Sequence, residues 1–462
     1  MFSRLFSQRL RSCGKTMMSS QLTRLQRARL SSLPLRSATS NALIPRLSRS
    51  HSNFFGGAPL NRLSWLRQQQ SFLNNLVPLP ETQWLVFHDG RPLVSTERGS
   101  KAPALARLST ADVRSLLGPE PFFGQGQTVG GQAAASDVVA LEGARLRGPP
   151  IVFLGLQEPP SSERRALPSS EFIAKGESGL TDVFANIEGS AYFSLNVTDI
   201  DQHTLDAALQ NSAAGKRGAQ LAFVDPRSAM GALDYTSANI FAMARSMHDW
   251  NSRNKYCPSC GSPSYSQWAG WKLGCSSLLP WAQQTEGKKP CVTAQGLHNF
   301  SHPRTDMVVI AATVDPEREK ILLGRNKRFP PGLWSVLSGF IEPGESLEDA
   351  VKRETWEEAG LEVQDVQYHS SQPWPYPATL MAGLYAVADS SKPTRTDLDN
   401  ELEDVRWYSR EYILNILEKY GATHPSMERE RSPDAPMSFP DTNAIGGVLI
   451  SEWAYGKAGQ DG

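Results

Sequence analysis

The chain has 462 residues, 40% of them hydrophobic, which is more than one ordinary core accommodates, so two or three domains are expected. No run of about eighteen apolar residues occurs, which excludes a membrane-spanning helix of the usual kind, and no membrane partner is expected. The formal charge of zero hides an asymmetry: residues 1–50 hold ten Lys and Arg and no acidic residue, which leaves 37 basic against 47 acidic side chains, a body that would repel a nucleic-acid backbone.

Residues 1–50 are rich in Arg and Ser, with scattered Leu and Phe, the composition of a mitochondrial presequence; a start at Met17 or Met18 is the alternative. Residues 51–250 alternate apolar runs (WLVFHDGRPLV, IVFLGL, AYFSLNV, QLAFVD) with loops and predict an α/β or α+β domain closed by a helix from Ser237 to Asn251. The stretches Gly124–Ser136 and Glu158–Ser170 read as loops or insertions. Residues 251–300 gather Cys257, Cys260, Cys275 and Cys291, a pattern that suggests a metal site rather than a disulfide framework. Cys257-Pro-Ser-Cys260 can place two thiolates on one tetrahedral Zn²⁺.

Residues 301–456 carry the chemistry. VVIAATV and ILLGRN predict paired strands, followed by a loop punctuated by Gly and Pro, a helix from Leu347 to Ala359, and the strands LMAGLYAV and DVRWYS. Ser346 suits the helix N-cap with Asp349 at the capping-box position, and Gly360 suits a left-handed stop. At about 100° per residue, Glu354, Glu357 and Glu358 fall on or beside the face of Leu347, Ala350 and Val351. Three carboxylates so placed repel one another and oppose the helix dipole, each effect about 0.3–1 kcal/mol, and a divalent cation would offset both. An isolated acidic segment would be read as a solvated face.

The wider spacing decides between these. Gly339, Glu345, Arg353-Glu354, Glu357-Glu358, Gly360 and Leu361 match the Nudix box at every charged and glycine position, with Thr355 where an aliphatic residue is usual. Downstream, Ser371-Gln372-Pro373-Trp374-Pro375-Tyr376-Pro377 resembles the signature of the NADH pyrophosphatase branch of that family, with Tyr376 for Phe and Thr379 for the final Ser.

The resemblance implies an α+β fold: a Nudix α/β/α sandwich with a mixed sheet, preceded by a zinc ribbon and by a non-catalytic Nudix-like domain, whose start FFGGAPLNRLSWLR looks like that of fungal members. It implies that Glu354, Glu357 and Glu358 bind Mg²⁺ or Mn²⁺, one of them activating water, while Glu345 and Arg353 pair to hold the loop on the helix. The Ser338 carbonyl adds a ligand, and Glu401 a further carboxylate, with a surface glutamate as the alternative reading. Gln372, Pro373, Trp374, Pro375, Tyr376, Pro377, Ala378 and Thr379 would line the dinucleotide site, with Phe340 stacking and Gly446 at its edge.

In this branch the second cysteine pair is close in sequence, whereas fifteen residues separate Cys275 from Cys291, so residues 276–290 read as an inserted loop. His302 stands where a Tyr is common, and no role is assigned to it. The implied function is hydrolysis of the diphosphate of NADH or NAD to AMP and nicotinamide mononucleotide, with removal of an NAD cap from RNA the same chemistry on a longer substrate. The implied assembly is a homodimer. A sensor that binds a dinucleotide or ADP-ribose without turnover is the rival reading. Mitochondrial residence is expected; peroxisomal or cytosolic residence is the alternative, the chain ending Gln-Asp-Gly rather than in a small-basic-Leu tripeptide.

Overall fold

Two mixed β-sheets built on the same strand plan organise the chain. The computed structural model describes residues 52–57, 59–100, 102–125, 143–159, 187–279, 291–294, 302–398, 401–422 and 435–456. The expected presequence, most of both expected loops and most of the 276–290 insertion lie outside these residues.

The first sheet contains β1 (Gln83–His88), β2 (Arg91–Thr96), β3 (Ala104–Leu105), β4 (Leu108–Ser109), β5 (Ile151–Gln157), β6 (Ser190–Asn196) and β7 (Gln220–Phe223). Its order is β3-β2-β1-β6-β5, with β4 on β1 and β7 on β2. β1 and β6 run parallel, and β4 and β2 divide the other edge of β1, one at its start and one at its end. Strands β5 and β6 are nearly continuous apolar runs because both faces are covered. Successive side chains point to opposite faces: Trp84 and Val86 enter one core with helix α1 (Gln70–Leu76), and Leu85 and Phe87 enter another. Helix α2 (Thr110–Val113) follows β4, and α3 (Gln202–Asn211) and α4 (Ala213–Lys216) separate β6 from β7. Helix α5 (Tyr235–Arg253) covers the second face and is two residues longer at each end than the sequence predicts; its start is set by the Asp234 carboxylate, which accepts from Ser237 N at 2.7 Å.

β8 (Ser264–Gln267) and β9 (Lys272–Cys275) form the cysteine hairpin.

The second sheet contains β10 (Asp306–Val314), β11 (Lys320–Asn326), β12 (Leu337–Phe340), β13 (Val363–Trp374), β14 (Thr379–Ala388) and β15 (Leu402–Ser409), in the order β13-β14-β10-β11-β15 with β12 on β10. Here β10 and β14 run parallel, and β12 and β11 divide the other edge of β10. The pairings β1/β2/β4/β5/β6/β7 of the first sheet are thus repeated by β10/β11/β12/β13/β14/β15. Helix α6 (Leu347–Ala359) packs on one face through Ala350, Val351 and Ala359; α7 (Arg410–Tyr420) and α8 (Ile445–Ala454) cover the other through Ile413, Ile445 and Leu449. This is the expected α/β/α sandwich, and the first domain has the expected Nudix-like plan. In that domain α2 occupies the place of α6 but has four residues and one acidic side chain, Asp112, spent on a capping box with Ser109.

The sequence reading has two gaps here. β12 lies inside the segment that the sequence predicts as a loop, and no sequence signal predicts β13. Its last residues include Ser371–Trp374, so only part of the proline motif is strand; residues 375–378 form the turn into β14.

Candidate active site

Local signals fix the catalytic-type helix. Asp349 N donates to Ser346 Oγ at 3.2 Å, Ser346 N donates to the Asp349 carboxylate at 3.2 Å, and Gly360 takes the left-handed conformation at φ 69°. With both ends set, the buried stripe of α6 runs through Ala350, Val351, Thr355, Glu358 and Ala359. Glu358 is therefore a carboxylate at 3% exposure on a core-facing stripe, while Glu354 and Glu357 stand at its margin. Burying a carboxylate is costly unless positive charge or donors compensate.

Arg353 gathers the site. Its Nε and Nη2 grip the two oxygens of Glu345 at 2.6 and 2.9 Å, its Nη1 donates to Glu354 at 2.7 Å and Glu357 at 3.0 Å, and Nη2 also donates to the Phe340 carbonyl at 2.7 Å. Glu345 further accepts from Glu342 N at 2.9 Å, so the turn before α6 is tied to the helix. The Arg353 hydrogen bonds hold the Glu345 carboxyl down at about 2. Burial pushes Glu354 upward against the pull of Arg353, and the charges of Glu357 and Glu401 push the same way. Glu401 is near enough for its charge to act on Glu354, and its Oε1 accepts from Asn326 Nδ2 at 2.9 Å. Asn326, at the end of β11, was not anticipated; a polar residue closing an apolar strand is its one signal in the sequence. Ser338 is exposed on β12, paired with Ile310 and next to Gly339. A methyl group on Gly339 would meet the Glu354 carboxylate within 2.2 Å, so the bare backbone is the cradle in which that carboxylate lies.

The donor chemistry fits a hard divalent cation: oxygen ligands from one helix face with a further carboxylate opposite. Such an ion would neutralise the diphosphate and make water a better nucleophile. Arg353 orients Glu354 and Glu357, and Glu345 orients Arg353.

Residues assigned to the dinucleotide divide into two groups. Gly339, Val309, Ala382 and Ser371 lie in register across four strands, as do Phe340, Val308, Met381 and Gln372. Three strand spacings put the proline motif roughly 14 Å from Gly339. Phe340 is 61% exposed beside the carboxylates, free to stack. Pro373, Trp374, Tyr376, Pro377 and Ala378 are partly exposed, whereas Pro375 and Thr379 are buried. Trp374 and Tyr376 both meet Phe55 edge-on, at 6.0 and 6.2 Å, so part of their ring surface is spent on the first domain. Two assignments are corrected. Gln372 is fully buried, its Nε2 donating to the Phe54 and Asn443 carbonyls at 3.0 and 2.9 Å and its Oε1 accepting from Ile445 N at 2.8 Å; its amide is used up inside the fold. Gly446, the second residue of α8, is buried where a Cβ would meet Ser335, Ile310 and Val336, a packing position.

The four cysteines converge. Cys257 and Cys291 sulfurs lie 3.5 Å apart, Cys260 and Cys275 sulfurs 3.3 Å apart, and all four lie within 4.8 Å of one another. Disulfide sulfurs would be about 2.05 Å apart. A tetrahedral zinc holding sulfurs at about 2.3 Å spaces them about 3.8 Å apart, which this set fits. Cys291, doubtful from spacing, joins the other three. Among the described residues this is the one group of three or more such donors so closely gathered. His302 packs its ring on Trp268 at 5.3 Å, and burial lowers its pKa.

Comparison with known proteins agrees with this geometry. A NUDIX domain model matches residues 304–428, and a model of the NADH pyrophosphatase-like rudimentary NUDIX domain matches residues 81–250. The NAD-capped RNA hydrolase of Schizosaccharomyces pombe is 33% identical over 412 residues, covering 88% of this chain and 94% of that protein. The human NAD-capped RNA hydrolase NUDT12 is 32% identical, covering 87% of this chain and 73% of that protein, and the Saccharomyces cerevisiae NAD-capped RNA hydrolase NPY1 is 28% identical, covering 79% and 87%.

Proposed function

The chain belongs to the Nudix hydrolases, in the NADH pyrophosphatase branch, and on that premise we propose that it cleaves the diphosphate of NADH or NAD to AMP and the nicotinamide mononucleotide. It is a hydrolase of diphosphate bonds in NAD-related substrates, and its family uses divalent metals. The observation that carries the hydrolytic reading is the complete carboxylate set of α6, with Glu354 laid on Gly339 and Glu358 buried on the sheet-facing stripe, and the motif Ser371–Pro377 supports the dinucleotide substrate. Mg²⁺ or Mn²⁺ would occupy the site formed by Glu354, Glu357, Glu358 and Glu401, and Zn²⁺ the cysteine site, where a closed set of four thiolates serves folding. Removal of NAD caps from RNA belongs to the same proposal, supported by the activity for which the fungal and human relatives are named. So do homodimer formation and mitochondrial residence, the latter supported by the basic, acid-free residues 1–50. The dinucleotide-sensor reading is disfavoured, since no box carboxylate is missing.

The test is chromatography of products from the full chain with NADH and Mn²⁺, beside Glu357→Gln and Glu358→Gln. AMP and reduced nicotinamide mononucleotide from the wild type alone are expected. Tight NADH binding without cleavage across several divalent metals would overturn the enzyme reading in favour of the sensor.

A further inference from the structure

We infer that Asn53, some 300 residues upstream of the chemistry, is a positioning residue for the substrate-binding turn, so that the rudimentary domain shapes the dinucleotide site.

β13 is the outer strand of the second sheet, and it reaches the proline turn past a register shift at Tyr368/Ser370. β14 pairs with one edge of β13 as far as Trp374, but the other edge of an outer strand has no strand to hold it. Residues 53–55, at the start of the first domain, supply partners on that open edge. Asn53 is buried, and its Nδ2 donates to Ser370 Oγ at 2.9 Å and to the Ser371 carbonyl at 3.0 Å. The Phe54 carbonyl accepts from Gln372 at 3.0 Å, and Gln372 passes the constraint to Asn443 and Ile445 at the start of α8. The Phe55 ring meets Trp374 and Tyr376, and its carbonyl is fixed by Asn239 Nδ2 at 2.7 Å from α5. On the far side Ser370 Oγ contacts His369 Nδ1 at 2.8 Å, and His369 Nε2 contacts Glu452 of α8 at 2.7 Å.

Three consecutive residues of one segment thus grip residues 370, 371, 372, 374 and 376. The placement of Trp374 and Tyr376 follows from the segment 53–55 as much as from their own strand. The contacts lie three strand spacings from Gly339 and the carboxylates, so loosening them should alter substrate binding and leave the reacting groups in place. The kinetic consequence rests on the dinucleotide reading above.

The experiment compares full-length wild type with Asn53→Asp, which keeps shape but replaces the donating amide with acceptors, and with Asn53→Gln, which keeps a donor. Expected for Asn53→Asp is a rise in KM for NADH of about tenfold, or about 1.4 kcal/mol, with kcat within about twofold. Asn53→Gln is expected to recover part of that loss. Amide hydrogen exchange over residues 366–380, measured without substrate, is expected to quicken in Asn53→Asp. A lowered melting temperature with unchanged KM and unchanged exchange in this segment would make Asn53 merely structural and overturn the inference. A wild type that leaves NADH intact would sink the functional reading, while the exchange comparison would still decide whether Asn53 orders the turn.

Discussion

Gly339 and Glu354 are in such close contact that a Cβ on the glycine would lie 1.9 Å from the glutamate carboxyl carbon. Gly339→Ala must therefore displace the carboxylate proposed to bind metal without touching the core of α6. The expected outcome is a loss in kcat of about 100-fold, since a misplacement near 1 Å can cost that much. Steady-state kinetics with a metal titration, beside an unchanged far-ultraviolet circular dichroism spectrum, would check it.

Glu345 acts through Arg353. Replacing it with Gln removes the charge that Arg353 answers, leaving the guanidinium to swing wholly onto Glu354 and Glu357. Activity should fall about 10- to 100-fold, the range for partners that orient metal ligands. The Glu345 carboxyl is held at about 2 against an unfolded value of 4.5. Its ionic contact is thus fully present above about pH 4.5 and is lost as pH falls toward 2. Nuclear magnetic resonance titration of the Glu345 carboxyl should find it still ionised at pH 3.5; a midpoint above 4 would refute the pairing.

His248 sits at 2% exposure with its ring 4.9 Å from Phe87, and neither ring nitrogen has a hydrogen-bond partner among the described residues. Burial first, then the charge of Arg245, lowers its pKa from 6.5 to about 3. The unfolded chain takes up a proton below pH 6.5 that the folded chain refuses, so the contribution is complete above 6.5 and is lost as pH falls toward 3. Between those values this one group gives a slope of up to about 1.4 kcal/mol per pH unit. His248→Phe should flatten that part of the curve, measured by urea unfolding from pH 7 to 4.

Cys291 separates a four-sulfur centre from a three-sulfur one. About one zinc per chain is expected by metal analysis, with Cys291→Ser retaining it poorly in the presence of a chelator. Loss should lower the melting temperature more than it lowers kcat at a temperature where the variant is folded. An equal zinc content in the variant would remove Cys291 from the ligand set.

How much of this was legible depended on how local the determinant was. The limits of α6 follow from Ser346, Asp349 and Gly360, all within or beside the helix, and the sequence predicts them. β13 was invisible because VQDVQYHSSQPW alternates weakly and contains a proline; pairing with β14 makes it a strand. Gln372 is an amide beside aromatic residues, a fair candidate for a ligand contact, yet its partners come from residues 54, 443 and 445. No spacing rule could place Phe54 against it. Cys291 shows the converse, since its distance along the chain argued against it and the fold brings it to the other sulfurs.

The repeated strand plan has a consequence for assembly. Two copies of one architecture joined in a single polypeptide form a built-in pseudo-dimer, whose mating surfaces meet at an effective concentration set by the linker and not by the amount of protein in the cell. Dilution cannot part Phe55 from Trp374 and Tyr376. One copy can then dispense with a carboxylate cluster, as α2 has, keeping only the capping Asp112, and persist as a permanently attached subunit of the other.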